Sequence, residues 1–105
     1  MIRLKKSRKK EIPWILHGYN GNQEMTKQLI QHGFYFSYGL SIFKFGENQL
    51  RAIESIPLEK LFFENDVSNH PIETIYKFAA PLLQLSTAEL KKAVFRNYKR
   101  LLQHG

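Results

Sequence analysis

The chain of 105 residues contains no cysteine. Disulfides, thiolate metal ligands and a cysteine nucleophile are therefore excluded, and any catalysis has to run on His, Asp, Glu, Ser, Tyr or Lys. Long apolar runs are missing too. No stretch approaches the roughly 18 apolar residues that a membrane span needs, and the first residues lack the apolar segment of a secretory signal, so a soluble, cytoplasmic protein is expected. The sequence shows no internal repeat and no low-complexity segment beyond a basic start. It also lacks a Ser-His-Asp order, a glycine-rich phosphate loop and a nucleotide fingerprint. At this length a multidomain protein is excluded, because domains run about 50 to 250 residues.

What is present is an ordinary globular composition, with 43% hydrophobic and 24% charged residues, enough for one small core. The net charge of +7 looks like a nucleic-acid signal until it is located. Six basic residues fall between Arg3 and Lys10, whereas Glu11 to Gly105 carries 10 Lys and Arg against 9 Asp and Glu, a balance of +1. A terminal basic run can pair with phosphates, but it is also what the solvated end of a helix looks like.

Past Lys10, short apolar runs alternate with helical periodicity, a βα pattern. Ile12 to His17 suits a buried strand with Pro13 at its start. Asn20 or Asn22 can cap a helix running to about Gln31, with Met25, Leu29 and Ile30 on one face and Gly33 as its stop. Phe34 to Leu40 reads as a second strand, followed by a loop around Ser41 to Asn48. Leu50, Ile53 and Ile56 mark a short helix ended by Pro57, and Lys60 to Glu64 forms a third strand, apolar at its centre as in a parallel sheet covered on both faces. Pro71 suits the first turn of a helix whose stripe is Ile72, Ile75, Tyr76 and Ala79, and Pro81 should end or kink it. Ser86-Thr87-Ala88-Glu89 is a capping box opening a last helix, with Leu90, Val94, Phe95, Tyr98, Leu101 and Leu102 expected to face the core.

Working residues of parallel α/β sheets gather at the carboxyl ends of the strands. The first strand ends at His17, followed by Gly18-Tyr19-Asn20-Gly21, and the third at Glu64-Asn65-Asp66. An imidazole and a carboxylate from different strand ends can hold a divalent ion, and the Asp can take a proton from bound water. The plainer reading is that His17 caps a turn and Asp66 steers the following helix. Packing or hydrogen bonding is expected of Ser37, Tyr35 and Tyr19. His32 and His104 suit helix C-terminal ends and His70 a helix entry.

Four blocks carry a resemblance: Ile15 to Gly21, Gly33 to Ser37, Ile56 to Asp66, and Asn97 to Leu101. In that order and spacing they resemble the C-terminal part of the TatD family, metal-dependent hydrolases, many described as deoxyribonucleases, built on a TIM barrel. The likeness extends from about Ile12 to Gln103. It implies an α/β fold that is a partial TIM barrel: the last three βα units plus the C-terminal helix, with parallel strands and helices on the outer side. Residues 1–10 would then be a basic segment ending a preceding helix, Met1 an internal methionine, and residues 11–105 the barrel part.

The family motif His-Cys-Phe-Ser-Gly falls on His17 to Gly21 and its Glu-Thr-Asp on Glu64-Asn65-Asp66. The resemblance thus implies His17 and Asp66 as metal ligands, Asp66 as the catalytic group handling the nucleophilic water, and Glu64, Asn20 and Tyr19 as supporting residues. The implied cofactor is a divalent metal, Mg, Mn or Zn. A full barrel takes about 250 residues, and the family's His-x-His pair, bridging Glu and further His do not occur in this sequence. The two-metal set is therefore incomplete, and the chain alone is expected to be inactive or nearly so. The family's Asp-Ala-Pro turn is Asp66-Val67-Ser68 here, and the long loop after it is reduced to Asn69-His70, which removes substrate contacts.

The implied function is a segment of a phosphodiester hydrolase acting on nucleic acid, without membrane association. The alternatives are a noncatalytic protein-interaction module or truncated remnant, and a basic nucleic-acid-binding domain driven by Arg3 to Lys10. An open barrel part should also present apolar strand edges at Trp14-Ile15-Leu16 and Leu61-Phe62-Phe63. Such edges pair with something, so self-association or pairing with a complementing N-terminal part is expected.

Overall fold

The computed structural model describes residues 14–64 and 72–104. The expectations for the basic segment, for Pro13, and for Asn65, Asp66, His70 and Pro71 lie outside the described residues. In chain order the elements are β1 (Ile15–His17), α1 (Gln23–Gln31), β2 (Tyr35–Tyr38), α2 (Glu47–Ser55), β3 (Leu61–Phe63), α3 (Ile72–Leu82) and α4 (Thr87–His104). Two 3₁₀ turns, Leu40–Lys44 and Leu58–Lys60, lead into α2 and β3.

Local chemistry sets most of the boundaries. The side chain of Asn22 accepts the amide of Met25 at 2.9 Å and opens α1. Gly33 takes a φ of +83° just after that helix ends, a conformation that L side chains rarely adopt. Ser86 and Glu89 bond reciprocally, amide to side chain, at 2.9 and 3.0 Å, and so start α4. Pro81 lies in the last turn of α3, one residue before its end, and Gln84 follows at φ +59°. In place of an open loop after Tyr38, the chain folds into the first 3₁₀ turn, which buries Ile42.

The strands form a parallel sheet in the order β1-β2-β3. Ile15, Leu16 and His17 stand beside Tyr35, Phe36 and Ser37, and Phe36, Ser37 and Tyr38 beside Leu61, Phe62 and Phe63. Successive side chains alternate between faces. One face therefore carries Leu16, Phe36, Tyr38, Leu61 and Phe63, and the other Ile15, His17, Tyr35, Ser37, Phe62 and Glu64. The first is the helix-covered face, where Phe63 meets Tyr76 of α3 edge-on at 5.3 Å and Tyr38 meets Phe45 at 5.9 Å. In a closed barrel the second face is the interior. The sheet is not closed, and the architecture is that of a partial TIM barrel.

Two expectations about the core are corrected. Phe95 and Leu102 are 63% and 78% exposed, and Tyr98 is also exposed; Leu90, Ala93, Val94 and Asn97 face the core, with Leu101 partly buried. On α1 the fully buried residue is Thr26, not Met25, which is exposed. β3 is an end strand of the sheet, and the side chains of Leu61, Phe62 and Phe63 are buried. On β1, Ile15 and Leu16 are half-buried and Trp14, just before the strand, is exposed.

Candidate functional site

The interior face brings three polar side chains together at the carboxyl ends of the strands. His17 closes β1, Ser37 stands beside it on β2, and Glu64 directly follows β3, its amide bonding Tyr38 O at 2.9 Å and so prolonging the ladder. His17 Nδ1 lies 2.9 Å from Glu64 Oε1, and the hydroxyl of Ser37 donates to the same oxygen at 2.7 Å. One residue from β1 and one from β2 therefore converge on the carboxylate that follows β3.

The surroundings of that carboxylate are built to admit it. Gly18 takes φ +61°, which turns the chain sharply after β1, and its backbone N–H donates to Glu64. At Gly39 a Cβ would sit 3.3 Å from Glu64 Cγ and 3.6 Å from Oε2. Burial alone would push the Glu64 carboxyl up. The hydrogen bonds from His17 and Ser37, the attraction to His17 and the Gly18 amide outweigh it, and the group is held below its ordinary value.

Glu64 is thus an ionised anchor whose Oε1 takes two side-chain donors, rather than a free base. Its partner is the opposite: the His17 side chain is 71% exposed, and Nε2 has no partner among the described residues. Because Nδ1 is committed to the carboxylate, Nε2 is the nitrogen left to take a proton or a ligand. Ser37 is buried and bonds Glu64 rather than His17, so no serine nucleophile is activated here.

The structure joins His17 and Glu64 but not the other supporting candidates. Tyr19 is buried on the helix-covered face, edge-on to Phe36 and Tyr38, with its hydroxyl 2.8 Å from Thr26 Oγ1. Asn20 contributes a backbone carbonyl, which accepts from Gln49 Nε2 at 2.9 Å. Asp66 lies outside the described residues, two positions after Glu64. No cluster of three or more His, Asp or Glu able to hold a metal ion occurs among the described residues. Ser37, for which packing or hydrogen bonding is expected from the sequence, forms a hydrogen bond, and the bond goes to a site residue. The usable signal was its register: in Tyr35-Phe36-Ser37-Tyr38 it is the one small hydroxyl, and it alternates onto the face that carries the two strand ends.

The family model described as TatD related DNase matches residues 1–103. The chain belongs to the TatD family. Among solved structures it is similar to a hydrolase TatD family protein from Entamoeba histolytica, with a TM-score of 0.68 at 15% identity over 83% of this chain. At that identity the likeness shows the fold alone. The chain spans 41% of that TatD protein. No curated protein matches the sequence. Within the TatD fold, the Ser37, His17 and Glu64 cluster lies at the carboxyl rim, where barrel enzymes place their working residues.

The donor set fits the divalent metal that this hydrolase family depends on, in part. A neutral imidazole with a free, outward Nε2 is a suitable ligand, and its Nδ1 is anchored to a carboxylate as metal-ligating histidines commonly are. One such ligand is not a site, and a second has to come from Asp66 or from elsewhere in a barrel.

Proposed function

We propose that this chain is the C-terminal segment of a TatD-type metal-dependent hydrolase, acting on phosphodiesters of nucleic acid and catalytically incomplete on its own. The observation that carries the reading is the 2.9 Å contact of His17 Nδ1 with Glu64 Oε1 at the strand ends. It turns Nε2 outward at the rim, two residues before the end of the Glu64-Asn65-Asp66 stretch. His17 Nε2 and the Asp66 carboxylate would hold a divalent ion, Mg, Mn or Zn. When bound, the ion supplies a Lewis acid that lowers the pKa of water. Asp66 accepts the proton of the attacking water at its carboxylate, and Glu64 keeps the imidazole oriented. Remaining ligands come from the part of the barrel that this chain does not span.

Self-association, or pairing with a complementing N-terminal part, belongs to the same reading. β1 lies at one side of the sheet with half-buried side chains, next to the exposed Trp14. The test is zinc titration of the purified chain by calorimetry, beside His17→Ala and Asp66→Ala, followed by phosphodiesterase assays with each ion. Weak zinc binding lost in both variants, with little or no hydrolysis by the chain alone, is expected. Zinc binding indifferent to both substitutions overturns the proposal.

A further inference from the structure

Ser37 closes the Gly33 to Ser37 block, for which the resemblance implies no site role. It is 2% exposed, in the middle strand, and among the described residues its side chain bonds Glu64 at 2.7 Å. A serine hydroxyl buried among aromatic residues is costly unless it is used. Here it fixes which carboxylate oxygen faces His17: Oε1 accepts from Ser37 on one side and from His17 on the other. Gly39 leaves room for the same group, since a Cβ there would press on Glu64 Cγ at 3.3 Å.

We propose that Ser37 is a positioning residue which, through Glu64, locks the neutral imidazole of His17 in the Nδ1–H tautomer and presents the Nε2 lone pair at the barrel rim. The inference rests on the reading of His17 as a metal ligand, and it extends the set of residues behind that ligand to the middle strand and to Gly39.

The physical chain has three links. A free imidazole in water favours the opposite tautomer, with the proton on Nε2, which blocks that nitrogen as a ligand. A carboxylate accepting from Nδ1–H reverses the preference. It does so only while one oxygen stays in line with Nδ1, and at a rim where Glu64 keeps 24% side-chain exposure the carboxylate would otherwise rotate towards water. The buried Ser37 hydroxyl removes that freedom. Loss of such an outer partner typically weakens metal binding about 10- to 100-fold.

The test reads the tautomer directly, with no metal present. Imidazole ¹⁵N shifts of His17 are recorded at a pH where the ring is neutral, in the unaltered chain, Ser37→Ala, Glu64→Gln and Gly39→Ala. Zinc affinity is then measured for the same four proteins. The unaltered chain is expected to show Nδ1 protonated and Nε2 bare. Ser37→Ala and Gly39→Ala should shift the population towards Nε2–H and weaken zinc binding roughly 10-fold or more. Gly39→Ala removes no hydrogen-bonding group, so it reports on carboxylate placement even where Ser37→Ala is too unstable to measure. A tautomer and zinc affinity unchanged in both Ser37→Ala and Gly39→Ala overturn the inference. A locked tautomer that both variants release, in a chain that binds no zinc, supports the positioning role and counts against the hydrolase reading instead.

Discussion

Asn97 of α4 donates its Nδ2 to Leu61 O at 2.9 Å, and that carbonyl points away from β2. The direction follows from the ladder: Glu64 N bonds Tyr38 O, so Glu64 and Phe62 face β2, and Leu61 and Phe63 face outward. Tyr98 reaches the other outward carbonyl, Phe63 O, at 3.4 Å, and its ring packs edge-on against Phe62 at 4.8 Å. The C-terminal helix thus caps the outer side of β3 with side chains.

Asn97→Ala tests that arrangement. Asn97 is buried and also donates to Leu58 O at 2.9 Å, so truncation leaves two carbonyls without this donor. A loss of about 1–3 kcal/mol is expected, the usual cost of unsatisfied buried groups, read as a lower urea midpoint at unchanged slope. Asn97→Asp should be no better, because a carboxylate repels the carbonyls it would face. A midpoint unchanged in the alanine variant would show that α4 does not cap β3 in solution.

Much of this architecture is legible in the sequence where a local rule decides. Asn22, Gly33 and the Ser86–Glu89 box mark helix ends by chemistry confined to a few residues, and the structure uses each of them. Hydropathy decides less well which residues of a wide apolar stripe are covered. On α4, Phe95 and Leu102 look like core by type, yet the neighbours pack on the Leu90, Val94 and Asn97 line. On α1, Thr26 takes the inner position because its hydroxyl bonds both Tyr19 and Asn22 O, and the larger Met25 is turned out. At the site, His17 and Glu64 are visible as strand-end residues. Ser37 becomes visible only with the register, because its role depends on what stands opposite.

Gly21 and Gly33 separate two reasons for glycine. A Cβ at Gly21 would collide with the Tyr19 hydroxyl, whereas one at Gly33 meets nothing within 4 Å and pays only for φ +83°. Gly33→Ala is expected to cost about 1 kcal/mol of backbone strain. Gly21→Ala should cost about 1–3 kcal/mol by overpacking and should also break the Tyr19 to Thr26 hydrogen bond. Near-ultraviolet circular dichroism of the tyrosines distinguishes them, changing for Gly21→Ala and not for Gly33→Ala.

Leu90 and Leu102 lie on one helix and make opposite forecasts. Leu90 is fully buried and Leu102 is 78% exposed. Leu90→Ala should lose about 2–5 kcal/mol through lost burial and a residual cavity, and Leu102→Ser should stay within about 0.5 kcal/mol. Equal losses in thermal unfolding would mean that Leu102 is covered in solution, for instance by a second copy. Repeating the scan on a dilution series would then show a concentration-dependent midpoint.

The tyrosines give the pH dependence. Burial first, then repulsion from Tyr98 and Glu73, raises Tyr76 from 10.0 to about 12, and Tyr38 is raised further, chiefly by burial. Below pH 10 both folded and unfolded chains hold these protons and stability is unaffected. Between pH 10 and 12 the unfolded chain releases them first, so stability falls as pH rises. Tyr38 Oη is also buried with no hydrogen-bond partner among the described residues, so its hydroxyl costs desolvation that none of them offsets. Tyr38→Phe is therefore expected to be neutral or to stabilise the fold by about 1 kcal/mol at neutral pH, with a gain that grows above pH 10 because one ionisable buried group has been removed. Urea midpoints of both proteins across the alkaline range check this, and a clear destabilisation by Tyr38→Phe at neutral pH would show that the hydroxyl has a partner in solution.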